Sequence, residues 1–255
     1  MSKHAYEGYS YQKARDCRDQ FVPIPINLVK TKKHLWSEMS PAERAVYPAL
    51  LLHRQGGEIF PSLKRLCRLS GRARSTVIEG LKGLEERGII AIRKEPMDSR
   101  GAKWRKNRYC FSDTFLYGKK WTMPAQTLLG RGWASLSSSA QAIYIALGAM
   151  SYQIEPDRRF PEKLYVGLAK LSYTEITDYA GVSRSYIKRY LGELMEWDFI
   201  EDGKLYEDDF PGLGACYLLK REVKILPEKS AKGSSHTGSI IDNNSSNINV
   251  SLTLL

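Results

Sequence analysis

Apolar positions change their spacing twice between residues 62 and 90. Leu63, Leu66 and Leu69 recur every three residues and predict a short helix with one inward face. Val77, Leu81 and Leu84 recur at i, i+4 and i+7 and predict a longer helix over 74–87. Ser62 is placed to cap the first helix, Gly71 to make the turn and Gly88 to stop the second. IIAIRK at 89–94 and NRYCF at 107–111 then read as strands around the polar, basic tip EPMDSRGAKWRK. Upstream, MSPAERAVYPALLLH predicts another helix. Ser40 is its N-cap, Pro41 takes its first position, Glu43 has capping-box spacing and residues 55–57 end it. Pro48 is expected to kink or shorten that helix unless the helix starts later, because it lacks an N–H and crowds the preceding turn. FVPIPINLV, before it, should be extended, since its prolines fix φ.

The whole pattern occurs twice. Residues 62–90 match 172–200: Gly71 pairs with Gly181, Arg74 with Arg184, Ser75 with Ser185, Leu81 with Leu191, Leu84 with Leu194 and Ile90 with Ile200, each 110 apart. WSEMSPAERAVYPAL, from Trp36, matches WASLSSSAQAIYIAL, from Trp133, at an offset of 97, and VPIPINLV recurs as MPAQTLL. About 13 extra residues therefore enter the second copy, within SYQIEPDRRFPEKLYVGLAK. Helix, glycine turn, helix and hairpin is the order in which a helix-turn-helix presents a recognition helix and a wing to DNA, so the duplication predicts two DNA-reading modules.

The expected fold is mainly α with small β-hairpin wings, an α+β chain of two winged-helix domains in tandem. Its expected parts are a loose arm at 1–20, a first domain at 21–111, a linker at 112–120, a second domain at 121–225 and a disordered tail at 226–255. The tail is rich in Ser, Asn and Gly and has little to bury. It ends in VSLTLL, either a partner-binding tag or an unstructured end.

Charge separates the copies. The chain carries a net +11. Residues 21–110 hold 19 Lys and Arg against 8 Asp and Glu, whereas residues 120–225 hold 13 against 14. The excess positive charge belongs to the first copy, which should attract a polyanion through counterion release. Cys17, Cys67, Cys110 and Cys216 form no CxxC pair, and His4, His34, His53 and His236 form no HxH or HExxH. No metal, disulfide framework or cofactor is expected. A phosphate loop and a Gly-x-Ser-x-Gly elbow are both missing, so an enzyme is not expected. The start of the chain has no apolar signal region and no run approaches the ~18 residues of a membrane span, so the expected location is the cytoplasm, with the nucleoid or a plasmid.

The start of a recognition helix reaches base edges. In the first copy that start offers Arg72, Arg74, Ser75, Thr76 and Glu79, with Lys82 one turn on. Arginine can grip guanine with two hydrogen bonds, and serine or threonine can bond a base or a phosphate. Gly80 and Gly83 weaken the helix and imply close packing or a close approach of backbone. The first wing holds Arg93, Lys94, Arg100, Lys103, Arg105, Lys106 and Arg108 around Trp104, and can lie along a phosphate backbone or enter a minor groove. The second copy offers Ser183, a good N-cap residue, with Arg184, Ser185, Tyr186, Lys188 and Arg189. Its wing carries Glu201, Asp202, Glu207, Asp208 and Asp209, which oppose a phosphate chain, so this copy is either a weaker DNA reader or a protein-contact module.

Pro61-Ser62, Leu66, Ser70-Gly71, Ser75-Thr76-Val77, Leu81, Leu84 and Gly88-Ile89-Ile90 together resemble the winged helix-turn-helix family common in phage and plasmid proteins. The second copy is similar but has Trp197-Asp198 where that family has glycine before the strand. Many members of the family are replication initiators, and the tandem pair resembles plasmid initiators built from two winged helices. The resemblance implies sequence-specific binding of double-stranded DNA by a replication initiator of a plasmid, phage or other mobile element. A transcriptional regulator is the alternative, and a scaffold or loader at a DNA complex is the alternative from another class. Further partners would be replication proteins met through the second domain or the tail, with no membrane involved and a homodimer left open.

Overall fold

A computed structural model describes residues 21–30, 35–54, 58–94, 107–112, 119–151, 165–203 and 216–220. The first copy opens with β1 (Phe21–Pro25), α1 (Ile26–Lys30), α2 (Leu35–Glu38) and α3 (Pro41–Leu51). β2 (Glu58–Ile59), α4 (Leu63–Ser70), α5 (Arg74–Glu86), β3 (Ile90–Lys94) and β4 (Asn107–Phe111) complete it. The second repeats the order with β5 (Lys120–Pro124), α6 (Ala125–Leu129), α7 (Arg131–Ser135), α8 (Ser138–Met150), β6 (Tyr165–Lys170) and α9 (Tyr173–Ala180). A 3-10 turn (Arg184–Tyr186) then leads into α10 (Ile187–Glu196), β7 (Ile200–Asp202) and β8 (Cys216–Lys220). The described chain is mostly helical with small antiparallel sheets, an α+β arrangement. β2-β4-β3 and β6-β8-β7 share one strand order, so the repeat extends to sheet topology.

Local chemistry sets the boundaries. Ser40 and Glu43 form a complete capping box at α3, with Pro41 in its first turn. Ser62 caps α4 through the Arg65 amide, and Gly71 ends it in the left-handed region at φ 69°. α3 continues past Pro48 to Leu51, so the expected early stop does not occur, and the Leu52 amide bonds the Pro48 carbonyl. Nearly every residue of α3 is buried, so packing from all sides holds the helix across the missing N–H. Asp198 stands in the second copy where Gly88 stands in the first. It takes the same left-handed backbone, at φ 60° against 68°. Aspartate tolerates that region better than most side chains, so the turn survives the loss of glycine.

The buried core is continuous across both copies. α3 and α8 pack against each other at its centre. α8 is buried on all its faces from Ala140 to Ala149, because one side meets its own copy and the other meets the first.

The contacts between copies are reciprocal. Arg44 donates from Nη1 to the Ala180 carbonyl, and Gln141 donates from Nε2 to the Ser70 carbonyl at 3.3 Å. Gln141 is the repeat partner of Arg44, and Ala180 that of Ser70. A β-carbon on Gly71 would overlap the Ala134 carbonyl, and one on Gly181 would overlap the Ser37 carbonyl. Those four residues are again two repeat pairs. β1 and β5 pair antiparallel with Val22 opposite Met123, Pro23 opposite Thr122 and Ile24 opposite Trp121. Exchange of equivalent patches is the signature of a two-fold interface, here within one chain. The symmetry breaks locally: the Trp36 indole donates to the Ala142 carbonyl at 3.3 Å, whereas the Trp133 indole N–H has no partner among the described residues.

Candidate nucleic-acid interface

Val77, Gly80, Leu81 and Leu84 are the buried side of α5. Gly80 is explained by close approach: a β-carbon there would crowd the Ala42 carbonyl of α3. Gly83 leaves room for the Glu43 carboxylate, which accepts from the Ser40 amide and, at 2.9 Å, from Arg87 Nε. The second copy exchanges these roles. Glu193 replaces Gly83, Ala140 replaces Glu43, and the Glu193 carboxylate accepts from the Ser137 amide and, at 2.7 Å, from the Ser137 hydroxyl. A carboxylate thus meets the start of the central helix in both copies, from opposite helices. Negative charge is favourable at a helix N-terminus.

With that side fixed, α5 exposes Arg74, Ser75, Ile78, Glu79 and Lys82, while Thr76 is half-buried. Ala73 makes no side-chain cap, so the first amides of α5 carry no such bond. Lys82 and Glu86 form an exposed i, i+4 pair at 3.5 Å, which contributes little in water.

Arg72 is placed otherwise than expected. Its Nη2 donates to the Leu136 carbonyl at 2.7 Å and to Gln141 Oε1 at 3.1 Å, both in the second copy. Burial lowers its guanidinium pKa, and the nearby Glu193 carboxylate opposes the shift. The side chain joins the copies and is not free over a base edge.

In the first sheet Arg93 and Lys94 are exposed, and Arg93 lies directly opposite Arg108 across β3 and β4. Like charges facing each other across a strand pair repel, and an anion over that face relieves the repulsion. Arg108 also sits 5.0 Å over the Phe60 ring. Arg100, Lys103, Trp104, Arg105 and Lys106 lie outside the described residues.

The segment of the second copy equivalent to α5 begins with the 3-10 turn and buries Ile187, Leu191 and Leu194 along α10. Ser183, Arg184, Ser185, Tyr186, Lys188 and Arg189 are all exposed. Ser183 does not cap: its hydroxyl lies 2.9 Å from the Ser185 hydroxyl, and no backbone amide bonds its side chain. The tight opening turn explains this, since it bonds the Tyr186 amide to the Ser183 carbonyl. Lys220 pairs with Asp198 and lies 3.6 Å from Glu201, which offsets part of the acidity around β7 and β8. Burial pushes the Lys220 ammonium pKa down, but the two carboxylates outweigh it and the net shift is upward. Glu207, Asp208 and Asp209 lie outside the described residues.

Ile78 joins the expected residues on the outer face of α5. It is 48 % exposed in the middle of the α5 face. Its signal was present as the one large apolar residue off the Val77, Leu81 and Leu84 stripe.

Among the described residues no helix is long and apolar enough to cross a membrane. A family model described as a helix-turn-helix domain matches residues 37–90, from α2 to the first residue of β3. No curated protein and no solved structure matches the chain. The match supports DNA binding by a helix-turn-helix, and the exposed α5 face lies within it.

Proposed function

We propose that this chain is a sequence-specific duplex-DNA binder built from two winged helix-turn-helix units, acting as a replication initiator of a mobile element. The observation that carries DNA binding is the exposed Arg74, Ser75, Ile78 and Lys82 face of α5, inside the matched domain and in the basic copy. The Arg93 and Arg108 pair supports a phosphate contact beside it. The second copy adds Arg184, Ser185, Lys188 and Arg189 on an equivalent face. The initiator role rests on resemblance, and a transcriptional regulator fits the matched domain equally well. Near-neutral charge in the second copy favours one other role, a contact with protein at a DNA complex.

Genome-wide footprinting separates these readings. Repeated sites at an origin support the initiator, promoter sites the regulator, and little duplex binding at moderate salt the protein-contact role. Lys103→Ala with Lys106→Ala should weaken binding to all duplexes and flatten the salt dependence. Unchanged binding across salt would remove the basic tip from the interface.

A further inference from the structure

We infer that one chain reads an imperfect inverted repeat, with one half-site per copy. The inference rests on the reading of both recognition helices as DNA readers. Its own ground is symmetry. Arg44 to Ala180 mirrors Gln141 to Ser70, the Gly71 and Ala134 contact mirrors Gly181 and Ser37, and Pro23 opposite Thr122 centres the β1 and β5 pairing. Two copies related in this way are a fused dimer. A duplex entered by equivalent helices of such a pair must share its two-fold axis, so its half-sites are inverted and not direct.

The recognition segments also start at the seam. Gly71 and Arg72, just before α5, touch Ala134 and Leu136 of the second copy, and Gly181, just before the second segment, touches Ser37 of the first. The seam therefore fixes where each helix begins. A flexible tether would leave orientation and spacing open; a shared core with reciprocal bonds does not.

The residues facing out at equivalent positions decide how alike the half-sites are. Arg74 and Ser75 recur as Arg184 and Ser185. One helical turn later Ile78 faces where Lys188 does, and Glu79 where Arg189 does, with every one of these side chains exposed. The half-sites should share the base gripped by the common arginine. They should then diverge, with an apolar contact to a thymine methyl open to Ile78 and guanine or phosphate contacts open to Lys188 and Arg189.

The test begins with selection of duplexes from a random pool by the full chain. The two recovered half-sites are then joined in inverted or direct orientation, with spacing scanned over about two helical turns. The expected result is one inverted spacing bound at least about tenfold more tightly than any direct arrangement, with one chain per duplex by sedimentation. Ile78→Lys combined with Glu79→Arg should make the selected site more nearly palindromic, and Arg184→Ala should relax one half-site alone. Direct repeats bound equally well, a lone half-site bound as tightly as the pair, or two chains per duplex would each overturn the inference. Failure to select any duplex would instead reject the DNA-binding proposal beneath it.

Discussion

At the scale of single residues, the glycines separate two physical effects. Gly71 and Gly88 both have positive φ, but a β-carbon on Gly88 meets nothing within 4 Å, whereas one on Gly71 overlaps Ala134. Gly88→Ala should cost about 1–2 kcal/mol through the left-handed backbone alone. Gly71→Ala adds overpacking against fixed backbone and should cost roughly 3–4 kcal/mol. Urea unfolding of both variants checks the difference, and equal losses would remove the seam contact from the account. Among the arginines, Arg74→Ala should lose roughly 1–3 kcal/mol of discrimination between selected and scrambled duplex. Arg72 was legible as a basic residue next to the turn, but its partners, Leu136 and Gln141, lie far along the chain and left no local trace.

At the scale of elements, caps and turns were readable because they depend on residues three or four apart. Ser40 with Glu43, Ser62, Gly71 and Gly88 all stand where their spacing placed them. Pro48 and Ser183 did not follow local rules, one overridden by burial on all sides and the other by a tight opening turn. The exchanged carboxylates give an element-scale test. Gly83→Glu should crowd Glu43 and destabilise by about 1–3 kcal/mol, and adding Glu43→Ala should restore part of that loss by adopting the arrangement of the second copy. Denaturation midpoints of the single and double variants measure the coupling. A second test concerns α9, where the Ser172 amide and hydroxyl hold the Glu175 carboxyl below its ordinary 4.5. A depressed folded pKa stabilises above the unfolded value, and that contribution disappears as pH falls through the folded one. The stability gap between wild type and Glu175→Ala should therefore narrow as pH drops from about 6 to about 3, with the surface position keeping it small.

At the scale of the molecule, the repeat was plain in the sequence, while the joining of its halves was not. One hint existed: QAIYIALGAM in α8 is apolar around its whole circumference, more than one small module needs to cover. The reciprocal bonds of Arg44 and Gln141 follow from pairing across a two-fold, which no local spacing records. The asymmetry of charge remains, with +11 in residues 21–110 against −1 in residues 120–225, so the basic copy should dominate affinity and the second should refine the choice of site. The most direct measurement is a fluorescence-anisotropy titration of selected and scrambled duplexes with the full chain, wild type and Arg74→Ala, over a range of salt. Wild type should prefer the selected duplex, both affinities should fall with salt, and Arg74→Ala should reduce the preference by roughly 1–3 kcal/mol. Equal binding of both duplexes by wild type, or a preference unchanged in Arg74→Ala, would contradict the account.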